Sequence, residues 1–108
     1  LLQTIIENCV KYGLRGKKCI HILVSCAVFP DGTLRFLVSD DGIGMDKGKL
    51  DEIRSMLEAP EGDGIHMGLY NIVRSLKLRY GDDAHFAIDS VYGEGTTVTI
   101  LIQQRGNP

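Results

Sequence analysis

The chain has 108 residues, 44% hydrophobic and 24% charged, enough for one globular domain around one core. Its 12 basic and 14 acidic residues are spread evenly, and a net charge of −2 gives no reason to expect nucleic acid or an anionic membrane as a main partner. No apolar run approaches the ~18 residues of a spanning helix, and three cysteines without CxxC spacing argue against a disulfide framework or a cysteine zinc site.

In chain order, Leu2, Ile5, Ile6, Cys9 and Val10 recur at i, i+3, i+4, i+7 and i+8, the pattern of a one-faced helix that Gly13 stops. The chain opens inside this helix at Leu1, without an initiator Met, as expected of a fragment of a longer protein. Two alternating segments follow, at about 19–29 and 33–40. Pro30-Asp31-Gly32 joins them, with proline presetting one dihedral and glycine tolerating positive φ. Cys9, Cys19 and Cys26 read as small buried thiols of a reducing compartment.

Residues 41–67 form a loop-rich middle with five glycines and one helical stretch at about 49–58. A second amphipathic helix, at about 68–79, carries Leu69, Ile72, Val73 and Leu76 on one face, with Gly81 placed as a left-handed cap. Two last strands, at about 84–91 and 96–103, turn through Tyr92-Gly93-Glu94-Gly95. The order α-β-β-(loop, short α)-α-β-β predicts an α/β (α+β) two-layer sandwich, a mostly antiparallel sheet with helices on one face.

Strand parity places the first candidate site residues. Leu34, Phe36 and Val38 share a face with Asp40, and Val98, Ile100 and Ile102 share a face with Thr96. A carboxylate on the apolar side needs a partner, and an adenine amino group on a flat apolar ring suits it. Asp40-Asp41-Gly42 also reads as a plain turn after a strand.

On the first helix, at about 100° per residue, Thr4, Glu7, Asn8 and Lys11 fall opposite the apolar stripe. Oxygen ligands of this kind suit Mg²⁺ beside substrate phosphates. A solvated face with an i, i+4 Glu7–Lys11 ion pair accounts for the same pattern. Further on, Gly62-Asp63-Gly64-Ile65-His66-Met67-Gly68-Leu69 runs into a helix, bringing close-approach backbone N–H groups and a helix N-terminus to one place. His66 suits a phosphate contact or a helix cap equally.

Competing motifs fail on spacing. Gly42-x5-Gly48-Lys49-Leu50 lacks P-loop spacing and its Ser/Thr. Neither glycine-rich stretch has dinucleotide spacing. A calcium loop beginning at Asp40 would put Gly42 and Gly44 at ligand positions.

Together these pieces resemble the GHKL (Bergerat-fold) ATPase superfamily, and within it the catalytic ATP-binding domain of bacterial sensor histidine kinases. The run from Leu2 to Gly13, containing Glu7-Asn8 and Lys11-Tyr12, resembles its N box. Asp40-Asp41-Gly42-Ile43-Gly44-Met45 resembles the G1 box, and Gly64 to Asn71 the G2 box. Gly93-x-Gly95-Thr96-Thr97-Val98-x-Ile100 is similar to the closing strand motif, and Gly68-Leu69-Tyr70-Asn71-Ile72-Val73 to the autolysin-regulator type.

The resemblance implies ATP and Mg²⁺ as cofactors. Asp40 and Thr96 would hold adenine, Asn8 the Mg²⁺, Glu7 would act as base or electrostatic helper, and Lys11 would reach the phosphates. Tyr12, Gly42, Gly44 and Met45 would line the nucleotide, while Gly64, His66, Gly68 and Leu69 would belong to the lid and its hinge. Tyr12 stands where this kinase type often has His, the Phe-containing lid box is absent, and His66-Met67 widens the interval before Gly68.

The implied reaction is transfer of the ATP γ-phosphate to a histidine on separate dimerisation helices, then to an aspartate of a response regulator. Neither nucleic acid nor direct membrane contact is implied for residues 1–108. The implied setting is the cytoplasmic part of a protein in the bacterial cell membrane. Two alternatives are an anti-sigma-type serine kinase of the same superfamily and a non-catalytic nucleotide- or partner-binding module.

Overall fold

The computed structural model describes residue 6, residues 19–58 and residues 67–103, the side chains of 67 and 68 excepted. The N-terminal helix therefore lies outside the described residues apart from Ile6, which is helical. Strand β1 spans Ile22–Val28 and β2 spans Leu34–Asp40, both shorter at their N-terminal ends than the alternation predicts. The hairpin between them closes as read: Gly32 has φ +89°, the Asp31 Oδ1 accepts from the Thr33 N–H at 2.9 Å, and the Phe29 N–H donates to the Thr33 carbonyl at 2.9 Å.

Helix α1 spans Lys47–Glu58, two residues earlier than expected. Asp46 starts it: its Oδ1 accepts from the Lys49 N–H at 2.8 Å, satisfying one of the orphan donors of the first turn. Gly48 in that turn is what makes the sequence read as loop. Helix α2 spans Met67–Tyr80 and ends at Gly81, which has φ +58°, the left-handed cap expected there. A short 3₁₀ turn, Gly81–Asp83, which the sequence pattern does not announce, leads into β3, Ala84–Val91. Strand β4 follows at Gly95–Ile102.

The four strands form one sheet in the order β1-β2-β4-β3, every neighbouring pair antiparallel. Leu50, Ile53, Met56 and Leu57 of α1 and Leu69, Ile72, Val73 and Leu76 of α2 form stripes at helical spacing. Both stripes join Val38, Ile88, Val98, Ile100 and Ile102 of the sheet in one core cluster. Ile100 and Val38, each 1% exposed, sit at its centre, and each such side chain contributes about 1.5–3 kcal/mol by burial. This is the two-layer α/β sandwich that the element order predicts.

The cysteines depart from expectation: Cys19 and Cys26 are free and exposed. Cys26 lies on β1, an outer strand whose Leu23, Val24 and Val28 are exposed as well, so its thiol meets solvent rather than the core. Among the described residues no helix is long and apolar enough to cross a membrane.

Candidate functional site

Antiparallel pairing in this strand order brings four strand ends to one place. The C-terminal ends of β2 and β3 meet the N-terminal ends of β1 and β4. Across that end the register aligns Ile22 with Asp40, Asp40 with Thr96, and Thr96 with Ser90. Directly opposed residues share a face, so Asp40, Thr96 and Ser90 form a polar row at the rim of the apolar layer. The expectation that Asp40 and Thr96 face inward at neighbouring strand ends holds: they are cross-strand partners.

Asp40 is the one buried charged residue among those described, at 8% exposure. Its Oδ1 accepts from the Gly42 N–H at 2.8 Å, which turns the chain sharply out of β2. Its second oxygen, Oδ2, has no hydrogen bond among the described residues. A carboxylate oxygen left over in this way, on a side chain at the rim of the core, is an acceptor open to a donor.

The loop after Asp40 is held from both sides. Towards β1, the Asp41 carboxylate accepts from the His21 N–H at 2.6 Å and lies 2.8 Å from the His21 Nδ1, while the Asp41 N–H donates to the His21 carbonyl at 3.2 Å. Towards the β3–β4 hairpin, the Gly93 N–H donates to the Ile43 carbonyl at 2.6 Å, and the Met45 N–H donates to the Ser90 Oγ at 2.7 Å.

Two glycines permit this contact. A Cβ on Gly44, which has φ +69°, would overlap the Val91 carbonyl oxygen. One on Gly95, φ +134°, would overlap the Asp40 carbonyl oxygen. Their role in the structure is close backbone approach as well as a permissive φ.

Of the other residues singled out from the sequence, Gly42 is buried, and Met45 is half-buried and packs on the edge of the core. Gly68 is the second residue of α2, and Leu69 lies in the core cluster. Glu7, Asn8, Lys11, Tyr12, Gly64 and His66 lie outside the described residues. The magnesium assignment rests on Asn8 and falls there too. Among the described residues no three His, Cys, Asp or Glu side chains gather as a metal site.

Sequence reasoning missed Ser90 and His21. Ser90 shares the inward face of β3 with Phe86 and Ile88, and a lone hydroxyl ending an apolar stripe is the signal that marks it. His21 carries no comparable signal, because its partner Asp41 is 20 residues away. A separate cleft of about 450 Å³ runs between α1, α2 and the β3 edge, past Arg54, Leu76 and Phe86. It touches none of the row Asp40, Thr96 and Ser90, so the chemistry points to the strand ends instead.

A family model described as "Histidine kinase-, DNA gyrase B-, and HSP90-like ATPase" matches residues 1–106. The chain is 32% identical over 108 residues to "Sensor protein kinase HptS" of Staphylococcus aureus strain USA300, covering 99% of this chain and 20% of that protein. It thus spans about one fifth of the curated relatives it matches.

Among solved structures, the histidine kinase domain of the Erythrobacter litoralis EL346 blue-light activated histidine kinase superposes with a TM-score of 0.67 at 22% identity, over 94% of this chain and 41% of that one. Full-length ShkA in complex with AMPPNP gives 0.68 at 22%, over 94% and 20%. The mycobacterial sensor histidine kinase MprB gives 0.63 at 19%, over 92% and 66%. These structures share the fold of this chain.

Proposed function

The chain belongs to the histidine kinase-, DNA gyrase B- and HSP90-like ATPase family, and on that premise we propose that it is the ATP-binding catalytic domain of a two-component sensor histidine kinase. The observation that carries this reading is the buried Asp40, opposite Thr96, with its Oδ2 still able to accept. An adenine amino group is the donor that fits an acceptor at the rim of an apolar layer.

In this reading Asp40 and Thr96 hold the base, and Gly42, Gly44 and Met45 carry the backbone past the nucleotide. Glu7, Asn8, Lys11 and Tyr12 would serve the phosphates. Asn8 would hold Mg²⁺, which when bound would offset negative charge on the transferred phosphoryl group. Lys11 adds a second positive charge there, and Glu7 acts as base or electrostatic helper. Gly64 and His66 would belong to the lid, and Gly68 and Leu69, at the start of α2 with Leu69 anchored in the core, would form its hinge. The chain's own contribution is positioning and water exclusion.

The acceptor is a histidine on dimerisation helices upstream in the same polypeptide, and the phosphate passes on to a response regulator. The parent is a membrane protein with this domain on its cytoplasmic side. Support comes from the relative named as a sensor protein kinase.

Incubation of the chain with γ-labelled ATP tests the catalytic part of this reading. No label should remain on the chain itself: His21 and His85 sit at and within strands rather than on an exposed helix face, and the third histidine, His66, is assigned here to the lid. Mg²⁺-dependent ATP affinity should fall in Asn8→Ala. Label retained on a histidine of this chain, or Mg²⁺ dependence unchanged in the variant, would contradict it.

A further inference from the structure

We propose that Ser90 sets base specificity. By taking the Thr96 hydroxyl proton, it leaves Thr96 facing the pocket as an acceptor only, and the Asp40–Thr96 pair then selects a base with an exocyclic amino group over one with a carbonyl. The inference rests on the nucleotide reading of this site and names a residue outside the motifs that led to it.

A serine hydroxyl has one proton to donate and two lone pairs to accept with. The Ser90 Oγ lies 2.9 Å from the Gly95 carbonyl oxygen, which can only accept, so the Ser90 proton goes there. The Met45 N–H, 2.7 Å away, can only donate, and it takes one lone pair. The Thr96 Oγ1 lies 2.8 Å from the same oxygen. With the Ser90 proton already committed to Gly95, that contact needs the Thr96 proton. Ser90 is then fully used, and Thr96 turns only lone pairs towards the ligand.

Asp40 offers the same polarity. Its Oδ1 holds the Gly42 N–H, and a carboxylate Oδ2 accepts without donating. The two groups are opposed across β2 and β4, so the rim presents acceptors side by side. An amino group fills such a rim with its two protons, directly or through one water. A purine carbonyl at that position sets acceptor against acceptor and leaves buried lone pairs unpaired.

Calorimetric titration of the whole chain with ATP, with inosine triphosphate and with purine riboside triphosphate tests the assignment: inosine exchanges the 6-amino group for a carbonyl and turns N1 from acceptor to donor, whereas purine riboside removes the amino group and leaves N1 an acceptor. In Ser90→Ala the Thr96 hydroxyl is free to donate. ATP affinity should then fall roughly three- to tenfold while inosine triphosphate affinity holds or rises, narrowing the ratio by about that factor. Ser90→Thr keeps the hydroxyl and should keep the ratio.

A merely structural role for Ser90 lowers both affinities together, so equal losses, or an unmoved ratio in a parent that binds ATP, overturn this inference alone. A parent that binds none of the three overturns it along with the nucleotide reading. Should Ser90→Ala fail to fold, Ser90→Cys serves in its place: a weakly bonding thiol must narrow the ratio too, and a ratio that stays put refutes the assignment.

Discussion

Gly93 and Gly95 lie two residues apart in one hairpin, yet the structure predicts very different consequences for replacing them with alanine. Gly93 has φ +86°, and a Cβ there meets nothing within 4 Å. Gly93→Ala therefore costs only the left-handed backbone penalty, about 1–2 kcal/mol. Gly95 has φ +134°, a conformation L side chains rarely adopt, and its Cβ would overlap the carbonyl of Asp40. Backbone strain of about 1–3 kcal/mol and overpacking of about 1–3 kcal/mol combine to roughly 2–6 kcal/mol.

The overlap is with backbone, so β4 must move away from β2 at the Asp40–Thr96 pair. Urea unfolding separates the two variants. With a slope of about 1.5 kcal/mol per M, Gly93→Ala lowers the midpoint by about 1 M and Gly95→Ala by roughly 1.5–4 M. ATP affinity measured on the protein that remains folded should be near normal in Gly93→Ala and markedly weakened in Gly95→Ala. Equal midpoints, or full ATP affinity in Gly95→Ala, would refute the close-approach reasoning.

Ile100→Ala removes a side chain that is 1% exposed at the centre of the core and should cost about 2–5 kcal/mol in the same unfolding assay; a loss under ~1 kcal/mol would misplace the core. The Asp31 carboxyl is held below the ordinary carboxylate range, chiefly by the hydrogen bond from the Thr33 backbone N–H. Its contribution is therefore present above that ordinary range and is lost as pH falls through the lower, folded-state value. An NMR titration should find Asp31 below the free carboxylate value, and Asp31→Ala should differ from the parent less as the solution is acidified. The His21–Asp41 pair, with side chains 83% and 51% exposed, is screened by solvent, so His21→Ala should shift unfolding by less than ~1 kcal/mol. A larger loss would show that the pair does more than steady an exposed loop.

What the sequence discloses here is whatever has a short period. Alternation along β2 and β4 is enough by itself to put Asp40 and Thr96 on apolar faces, and Gly81 announces its left-handed cap. The register that makes Asp40 and Thr96 partners joins residues 56 apart in the chain, and no local pattern encodes it. Nor does composition reveal that Gly44 and Gly95 serve backbone contact between the loop after β2 and the β3–β4 hairpin. The start of α1 is hidden because Gly48 argues for loop, while a single side-chain bond from Asp46 argues for helix and wins. Ser90 is hard to single out because its importance lies in three simultaneous hydrogen bonds, two of them to backbone groups that nearly every residue carries.

The central claim is that Asp40 holds the base of a bound ATP, and an aspartate-to-asparagine exchange probes it directly. The carboxylate serves the Gly42 N–H with Oδ1 and has a second oxygen, Oδ2, with which to accept from a ligand. Asparagine has one acceptor oxygen and can satisfy the loop or the ligand but not both. Calorimetric titration of ATP, with Mg²⁺, into the chain and into Asp40→Asn should show saturable binding by the parent and a loss of about tenfold to a hundredfold in the variant. A folded Asp40→Asn that binds ATP as tightly as the parent would contradict the account.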